Sequence, residues 1–178
     1  PAWFYRLSEI IPVGANVYVG NSLPVREWEL ATTTSEKNRD VFGNRGVNGI
    51  DGQVSTFAGL CSNSKQNWAI LGDLTTLYDL SGLWAFSQVS APDARIVVMN
   101  NGGGKIFQRM FKGQYFQNSH SLEFKGWAEL WAWPYRKFTR LEDLHDVLPE
   151  GREIWEIIPD EEQTTQFWAT WGAEGVRS

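Results

Sequence analysis

Short apolar runs recur along this chain, and amphipathic or polar stretches separate them. Runs such as Ile70-Leu71 and Ile96-Val97-Val98 show no polar alternation, which is typical of strands covered on both faces of a parallel sheet. The stretches between the runs have the length and pattern of helices. The predicted strands are NVYVGN (16–21), DVFGNRG (40–46), NWAILGD (67–73), ARIVVMN (94–100) and REIWEIIP (152–159).

The strand–helix alternation predicts one α/β domain over residues 1–178. We expect three layers, α/β/α, around a mostly parallel sheet of about six strands. After the third strand we predict a single helix over 74–89, with Leu77, Leu80 and Trp84 on one apolar stripe. The other predicted helices are 23–31, 51–61, 122–130, 141–147 and a polar helix near the C-terminus.

Composition narrows the class of protein. A chain of 178 residues with 42% hydrophobic and 21% charged residues suits a globular domain. The net charge of −5 argues against a nucleic-acid partner, and no apolar run is long enough to predict a membrane-spanning helix. The first ten residues lack the layout of a signal peptide. Cys61, without a disulfide partner, is expected in the core and fits a cytoplasmic protein.

Two other residue types invite interpretation. Ten tryptophans could form sugar-binding platforms, but packing and interface roles are favoured. His120 and His145 have no metal-ligand spacing, so we interpret both as surface or local structural residues.

Polar, glycine-bearing segments follow four of the predicted strands. Ligands of parallel sheets bind at the carboxyl ends of the strands, so these segments should line one crevice. The segments are 20–22, 43–46, 72–73 and 100–102.

Two of these segments predict a metal site. Asp73 and Asn100 are 27 positions apart, the span of one crossover, which should place them side by side. Their oxygens, with the carbonyl of Gly102, would leave room for phosphate oxygens around Mg²⁺. A helix beginning at Leu74 would point its N–H groups at the same anion. The alternative is a simple Asn-Gly turn with Asp73 as a helix cap.

Four segments together carry a family resemblance: GNSLPVR, NRGVNGIDGQVSTFAG, GDLTTLYDL and NNGGGKIF. They resemble the 2-succinyl-5-enolpyruvyl-6-hydroxy-3-cyclohexene-1-carboxylate synthases, thiamine diphosphate-dependent enzymes of menaquinone biosynthesis. The resemblance runs over residues 16–159. It implies the thiamine diphosphate-binding fold, with thiamine diphosphate and Mg²⁺ (or Mn²⁺) as cofactors. It also implies decarboxylation of 2-oxoglutarate and addition of the resulting carbanion to isochorismate.

The resemblance also implies roles for particular residues. Ile50 matches an apolar wedge that bends the cofactor. Ser22, Arg26 and Arg45 match residues that meet the acidic substrates, and planar guanidinium groups suit dicarboxylates. Ile106 and Phe107 match apolar residues that line the substrate pocket, and Lys105, just before them, departs from the family pattern. The metal ligands implied are Asp73, Asn100 and Gly102, and the other cofactor contacts are Gly72, Leu74 and Gly103.

The family's enzymes also contain a pyrimidine-binding and a central domain, and this chain matches only the C-terminal, diphosphate-binding domain. The activating glutamate belongs to the pyrimidine-binding domain, so no catalytic residue is expected here and the chain alone should have no turnover. The full-length enzyme would be a homo-oligomer, a dimer or tetramer. Two alternatives stay open: an acetolactate synthase-like enzyme, and a non-catalytic, Trp-rich α/β binding domain.

Overall fold

A computed structural model describes residues 1–32, 39–46, 48–107, 115, 117–144 and 150–174, with the backbone alone at 107 and 171–174. The strands are β1 (Asn16–Val19), β2 (Asp40–Phe42), β3 (Asn67–Gly72), β4 (Ala94–Met99), β5 (Tyr135–Phe138) and β6 (Arg152–Ile157). They form one six-stranded sheet in the order β2-β1-β3-β4-β6-β5, and every pair is parallel. The predicted α/β class and the mostly parallel, about six-stranded sheet are therefore confirmed.

Helices connect these strands and cover the sheet. The α-helices are α1 (Ala2–Ile10), α2 (Leu23–Ala31), α3 (Gln53–Leu60), α4 (Asp73–Leu77), α5 (Lys125–Leu130) and α6 (Glu161–Glu174). Short 3-10 helices occupy Leu80–Ser87, Lys105–Phe107 and Leu141–Asp143.

The two faces of the sheet carry two separate apolar cores. One core joins Phe4 and Leu7 of α1 and Trp28 of α2 to strand residues such as Ile70 and Val97. The other joins α3, the 3-10 helix Leu80–Ser87 and α5 to the opposite side chains of the same strands. Because successive strand residues point to opposite faces, continuous apolar strands can fill both cores. The three-layer architecture follows directly from this burial.

The prediction of a single helix over 74–89 is wrong. Helix α4 ends at Leu77, and the 3-10 helix Leu80–Ser87 follows it. With three residues per turn, this second helix turns Leu83 and Phe86 to the core, while Trp84 is 59% exposed. The expected apolar stripe through Leu80 and Trp84 therefore does not exist.

Other boundaries also differ from the predictions. The helix expected over 122–130 begins only at Lys125. The helix expected over 141–147 is a 3-10 turn at Leu141–Asp143, and His145 lies outside the described residues. Helix α1 and strand β5 were not predicted.

The tryptophans support the packing interpretation. Among the tryptophans whose side chains the structure describes, five are buried, and Trp68 and Trp155 meet edge to face with ring centroids 5.2 Å apart. Cys61 was expected in the core. It packs against the core beside α3 but is only partly buried. Within the described ranges, no helix is both long and apolar enough to cross a membrane.

Candidate functional site

The carboxyl ends of β1, β3 and β4 open into a cavity of about 690 Å³. The crevice expected at this edge of the sheet therefore exists. Its wall includes predicted site residues from all four glycine-bearing segments or their neighbours: Ser22, Arg26, Arg45, Ile50, Gly72, Asp73, Leu74, Gly103 and Ile106. Asn100 and Gly102 do not line the cavity, although their chain neighbours Asn101 and Gly103 do. The side chain of Phe107 is outside the described part of the structure.

Asp73 is the buried carboxylate of the site. It begins α4 directly after β3 and is 3% exposed. Its Oδ1 accepts a hydrogen bond from the Leu74 N–H at 2.6 Å, and its Oδ2 accepts one from the Gly103 N–H at 2.8 Å. Burial raises the pKa of Asp73 above its usual range, and these N–H donors offset the rise only in part. A cation at Asp73 would supply the missing charge compensation.

Asn100 follows β4 and is 6% exposed. Its Nδ2 donates to the Leu122 carbonyl at 2.9 Å and to Glu156 Oε1 at 2.6 Å. Its Oδ1 accepts from the Gly102 N–H at 3.3 Å. Asp73 and Asn100 thus hold consecutive N–H groups of the same glycine-rich turn.

The glycines of this turn are required by a second segment of chain. Gly102 and Gly103 have φ of 77° and 141°, values that side chains disfavour. A Cβ on Gly103 would lie 2.5 Å from the Gln117 carbonyl oxygen. Residues 117–120 pack over the turn, and the His120 N–H donates to the Gly102 carbonyl at 3.1 Å. The sequence did not predict that residues 117–120 lie over these glycines.

His120 contacts Asp73 and is largely shielded from solvent, so of the two roles predicted for it, surface or local structural residue, the structural one fits. Its side chain is 10% exposed, and its Nε2 lies 3.3 Å from Asp73 Oδ2. The Leu122 N–H donates to His120 Nδ1 at 3.2 Å, so in the neutral ring the proton sits on Nε2. No spacing motif could have revealed this, because the contact depends on how residues 117–122 fold back.

Cationic side chains surround the cavity. Arg26 Nη1 donates to the Ser22 carbonyl at 2.7 Å, and Arg45 Nη1 donates to Asn21 Oδ1 at 3.4 Å. Lys105 Nζ pairs with Glu161 Oε1 of α6 at 2.9 Å. Each cation also lines the cavity, as do the carboxylates Glu27 and Glu161. Because Lys105 is paired with Glu161, an anionic ligand there would meet positive charge mainly from Arg26 and Arg45.

Two walls of the cavity were missed from the sequence. Helix α1 contributes Trp3 and Phe4, and α6 contributes Thr164, Thr165 and Trp168. The sequence predicted α6 as a polar helix, but its position over the sheet edge depends on tertiary packing alone.

The donor set fits a metal–phosphate group. Among the described residues, no three His, Cys, Asp or Glu side chains cluster to hold a metal by themselves. The cavity instead offers Asp73 and the buried Asn101 Oδ1, which has no hydrogen-bond partner. One carboxylate with amide and carbonyl oxygens is a donor set that Mg²⁺ accepts when phosphate oxygens complete its shell.

The N-terminus of α4 attracts an anion less strongly than the sequence predicted. Helix α4 has five residues rather than the long helix expected at Leu74, so its dipole is small. The N–H groups of Gly102, Gly103 and Gly104 already donate to Asn100, Asp73 and Gln117, so the surrounding cations are the groups that could hold a diphosphate.

The fold is that of thiamine diphosphate-binding domains: a parallel sheet carries an aspartate and an asparagine beside a glycine turn at its carboxyl edge. Comparisons with known proteins identify the family within this class. The 2-succinyl-5-enolpyruvyl-6-hydroxy-3-cyclohexene-1-carboxylate synthase of Bdellovibrio bacteriovorus is 47% identical over 156 residues, which cover 87% of this chain and 30% of that enzyme. The synthase of the same name from Akkermansia muciniphila is 39% identical over 165 residues, covering 86% of this chain and 31% of the enzyme.

A synthase of the same name from Synechocystis is 32% identical over 94% of this chain and 30% of its own length. No family model matches the chain. The chain belongs to the 2-succinyl-5-enolpyruvyl-6-hydroxy-3-cyclohexene-1-carboxylate synthase family, as the motifs indicated. It spans about three tenths of the length of these relatives.

Proposed function

We propose that this chain is the C-terminal, diphosphate- and metal-binding domain of a thiamine diphosphate-dependent synthase. The enzyme would decarboxylate 2-oxoglutarate and join the remaining four-carbon unit to isochorismate in menaquinone biosynthesis. The observation that carries the proposal is the contact between Asp73 and the Gly103 N–H, 2.8 Å long, at the ends of two neighbouring strands. It brings both halves of the sequence motif to one point of the cavity.

In this proposal Asp73, Asn100 and the carbonyl of Gly102 hold Mg²⁺ or Mn²⁺. The oxygens of Asp73 and Asn100 now accept N–H groups of the turn, and the Gly102 carbonyl accepts the His120 N–H. Each of these oxygens has a second lone pair, so a metal can bind without breaking the turn. Asn101 Oδ1, buried without a partner, is a further oxygen within reach of the cavity.

The cofactor would supply an electron sink for decarboxylation of a 2-oxo acid. The protein would hold its diphosphate at Gly72, Leu74 and Gly103. Ile50 lines the same cavity and would support the bend of the cofactor. The chain's contribution is therefore binding and orientation.

The substrates would be held by the cationic rim. 2-Oxoglutarate and isochorismate each carry two carboxylates, which planar guanidinium groups bind in a two-pronged manner. Within the described residues, Arg26 donates to Ser22 O and Arg45 to Asn21 Oδ1, each through Nη1, so both guanidinium groups keep further N–H donors for a carboxylate. Ser22, Ile106 and Phe107 would complete the substrate pocket.

The remaining parts of the site would come from elsewhere. A pyrimidine-binding domain, provided by another subunit of a homo-oligomer, would supply the glutamate that activates the cofactor. Residues 1–178 would form a single domain of this cytoplasmic enzyme and have no turnover alone. The share of about 30% that the chain covers in its relatives supports this division.

A chimera tests the proposal. The chain would replace the matching 156-residue region of the Bdellovibrio bacteriovorus synthase, and product formation from isochorismate and 2-oxoglutarate would be followed. We expect turnover, its dependence on Mg²⁺ and thiamine diphosphate, and its loss in Asp73→Asn. Asp40→Asn is the matched control, because Asp40 pairs with Lys65 at 2.5 Å, does not line the cavity and should leave turnover unchanged.

The substrate preference and turnover of the chimera separate the alternatives to the proposed function. A folded chimera that prefers pyruvate would favour an acetolactate synthase-like enzyme. A folded chimera with no turnover, and no response to either cofactor, would refute the proposed function.

A further inference from the structure

We propose that Glu156 is a positioning residue that fixes the amide of Asn100, so that its oxygen rather than its nitrogen faces the metal. This inference rests on the proposed function, in which Asn100 supplies an amide oxygen to the metal. It assigns a role to a residue on β6 that lies behind the cavity.

Glu156 is a fully buried carboxylate whose three partners are all donors. Its Oε1 accepts from Asn100 Nδ2 at 2.6 Å. Its Oε2 accepts from the Phe124 N–H at 3.0 Å and from the Tyr135 hydroxyl at 2.5 Å. The exposed fraction of the residue is 0%. A buried carboxyl group is costly unless both of its oxygens are hydrogen-bonded, and these three donors meet that requirement for Glu156.

Tyr135 stays a donor in this cluster. Burial raises the pKa of its hydroxyl, and the hydrogen bond to Glu156 raises it further. The Tyr135 hydroxyl therefore keeps its proton and donates to Glu156 at any ordinary pH. Glu156 does not line the cavity, and its hydrogen bond to Asn100 is the route by which it would act on a ligand.

The orientation of Asn100 follows from its neighbours. The NH₂ group of an asparagine can only donate, and its oxygen can only accept. Both groups beside Nδ2, Glu156 Oε1 and the Leu122 carbonyl, are acceptors. Turning the amide over would set its oxygen against two acceptors and leave its NH₂ facing the Gly102 N–H. Glu156 thus directs Asn100 Oδ1 toward the glycine turn.

Replacing Glu156 by glutamine removes this acceptor with little change of shape. The glutamine oxygen would keep the two donors Phe124 N–H and Tyr135 hydroxyl, so its NH₂ would face Asn100 Nδ2. Two NH₂ groups cannot bond to each other, so the Leu122 carbonyl alone would hold Nδ2 and the amide oxygen would no longer be fixed toward the metal. Partners behind a metal ligand typically change metal affinity by about 10–100-fold when altered.

The test measures Mg²⁺ affinity of the chimeric enzyme by calorimetry at saturating thiamine diphosphate, without an activity readout. We expect Glu156→Gln to weaken Mg²⁺ binding by at least about tenfold. Tyr135→Phe is the matched control: it removes one hydrogen bond from the same carboxylate but leaves Oε1, and should stay within about twofold of wild type.

A reciprocal exchange separates positioning from a merely structural role. Asn100→Asp alone sets two carboxylates together and should also weaken Mg²⁺ binding. In the double variant Asn100→Asp with Glu156→Gln, the new glutamine NH₂ can donate to the new aspartate, whose other oxygen faces the metal. The double variant should bind Mg²⁺ more tightly than either single variant. A purely structural role predicts additive losses instead.

A second measurement uses the ligand-free chain of 178 residues. The Asn100 side-chain NH₂ resonance, identified by its absence in Asn100→Asp, should exchange slowly in wild type and Tyr135→Phe. It should exchange at least tenfold faster in Glu156→Gln. This exchange measurement tests whether Glu156 holds the Asn100 amide even if the Glu156→Gln chimera does not assemble.

The outcomes are distinct. Wild-type protein that does not take up Mg²⁺ would refute the proposed function, while the NMR result would still decide the orientation claim. Wild-type binding with an unchanged Mg²⁺ affinity in Glu156→Gln, or a double variant no better than the weaker single one, would overturn the role of Glu156.

Discussion

Gly103 offers a sharp test of the site's architecture through the substitution Gly103→Ala. The residue has φ of 141°, and its N–H donates to Asp73. A Cβ there would lie 2.5 Å from the Gln117 carbonyl oxygen and 3.1 Å from Ser119 Cα. Since both neighbours are backbone atoms, no side-chain rotation can relieve the contact, and the turn or residues 117–120 must move.

The expected cost has two parts. Holding alanine in a backbone region that belongs to glycine costs about 1–3 kcal/mol. Moving packed backbone out of the overlap costs about 1–3 kcal/mol more. We therefore expect Gly103→Ala to lower the free energy of unfolding by about 4 kcal/mol. For a chain of this size, that corresponds to a fall in Tm of about 8–16 °C.

Urea unfolding and thermal melts followed by circular dichroism would measure this loss. Gly126→Ala is the matched control, because no heavy atom lies within 4 Å of its added Cβ in α5. An exposed helical glycine should gain up to about 1 kcal/mol when it becomes alanine. Equal stability of the two variants would refute the packing of residues 117–120 on the turn.

Three further predictions concern other parts of the molecule. Leu83→Ala should lower the free energy of unfolding by about 2–5 kcal/mol, while exposed Trp84→Ala should change it by less than about 1 kcal/mol in the same urea experiment; the reverse order would restore the single-helix prediction. Glu153→Gln should cost about 1–2 kcal/mol in urea unfolding, because Glu153 accepts two hydrogen bonds from Arg136 at 2.7 and 2.8 Å; an unchanged midpoint would contradict this. Burial raises the pKa of Cys61 to about 12, so its thiol stays protonated at pH 8. Iodoacetamide should therefore label Cys61 at least about tenfold more slowly in the native protein than in the urea-unfolded protein, as measured by mass spectrometry. Equal labelling rates would refute the burial of this thiol.

The sheet was predictable where strands are buried on both faces. Continuous apolar runs marked β3 and β4, and their carboxyl ends located the cavity. Strand β5 escaped because YRKF carries two cations, and Lys137 lies exposed at the sheet edge. Helix α1 had a usable signal, since Phe4, Leu7 and Ile11 recur at helical spacing and are buried. The helix over 74–89 failed because 3-10 and α periodicities are similar over a short segment.

The site was predictable only as far as it depends on strand ends. Asp73, Asn100 and the glycines follow neighbouring strands, so chain order was enough to bring them together. His120 and Glu156 reach the same place through a fold-back and a distant strand, and no local pattern connects them to Asp73 or Asn100. Tertiary packing, rather than motif spacing, decides which side chains stand behind the predicted ligands.

The central claim is that Asp73 anchors a metal-dependent diphosphate site. The most direct measurement is calorimetric titration of thiamine diphosphate into the chimeric enzyme, with Mg²⁺ or with a chelator, for wild type, Asp73→Asn and the control Asp40→Asn. We predict saturable binding that needs Mg²⁺, is lost in Asp73→Asn and is retained in Asp40→Asn. Binding of equal affinity in the presence of chelator, or in Asp73→Asn, would contradict the account.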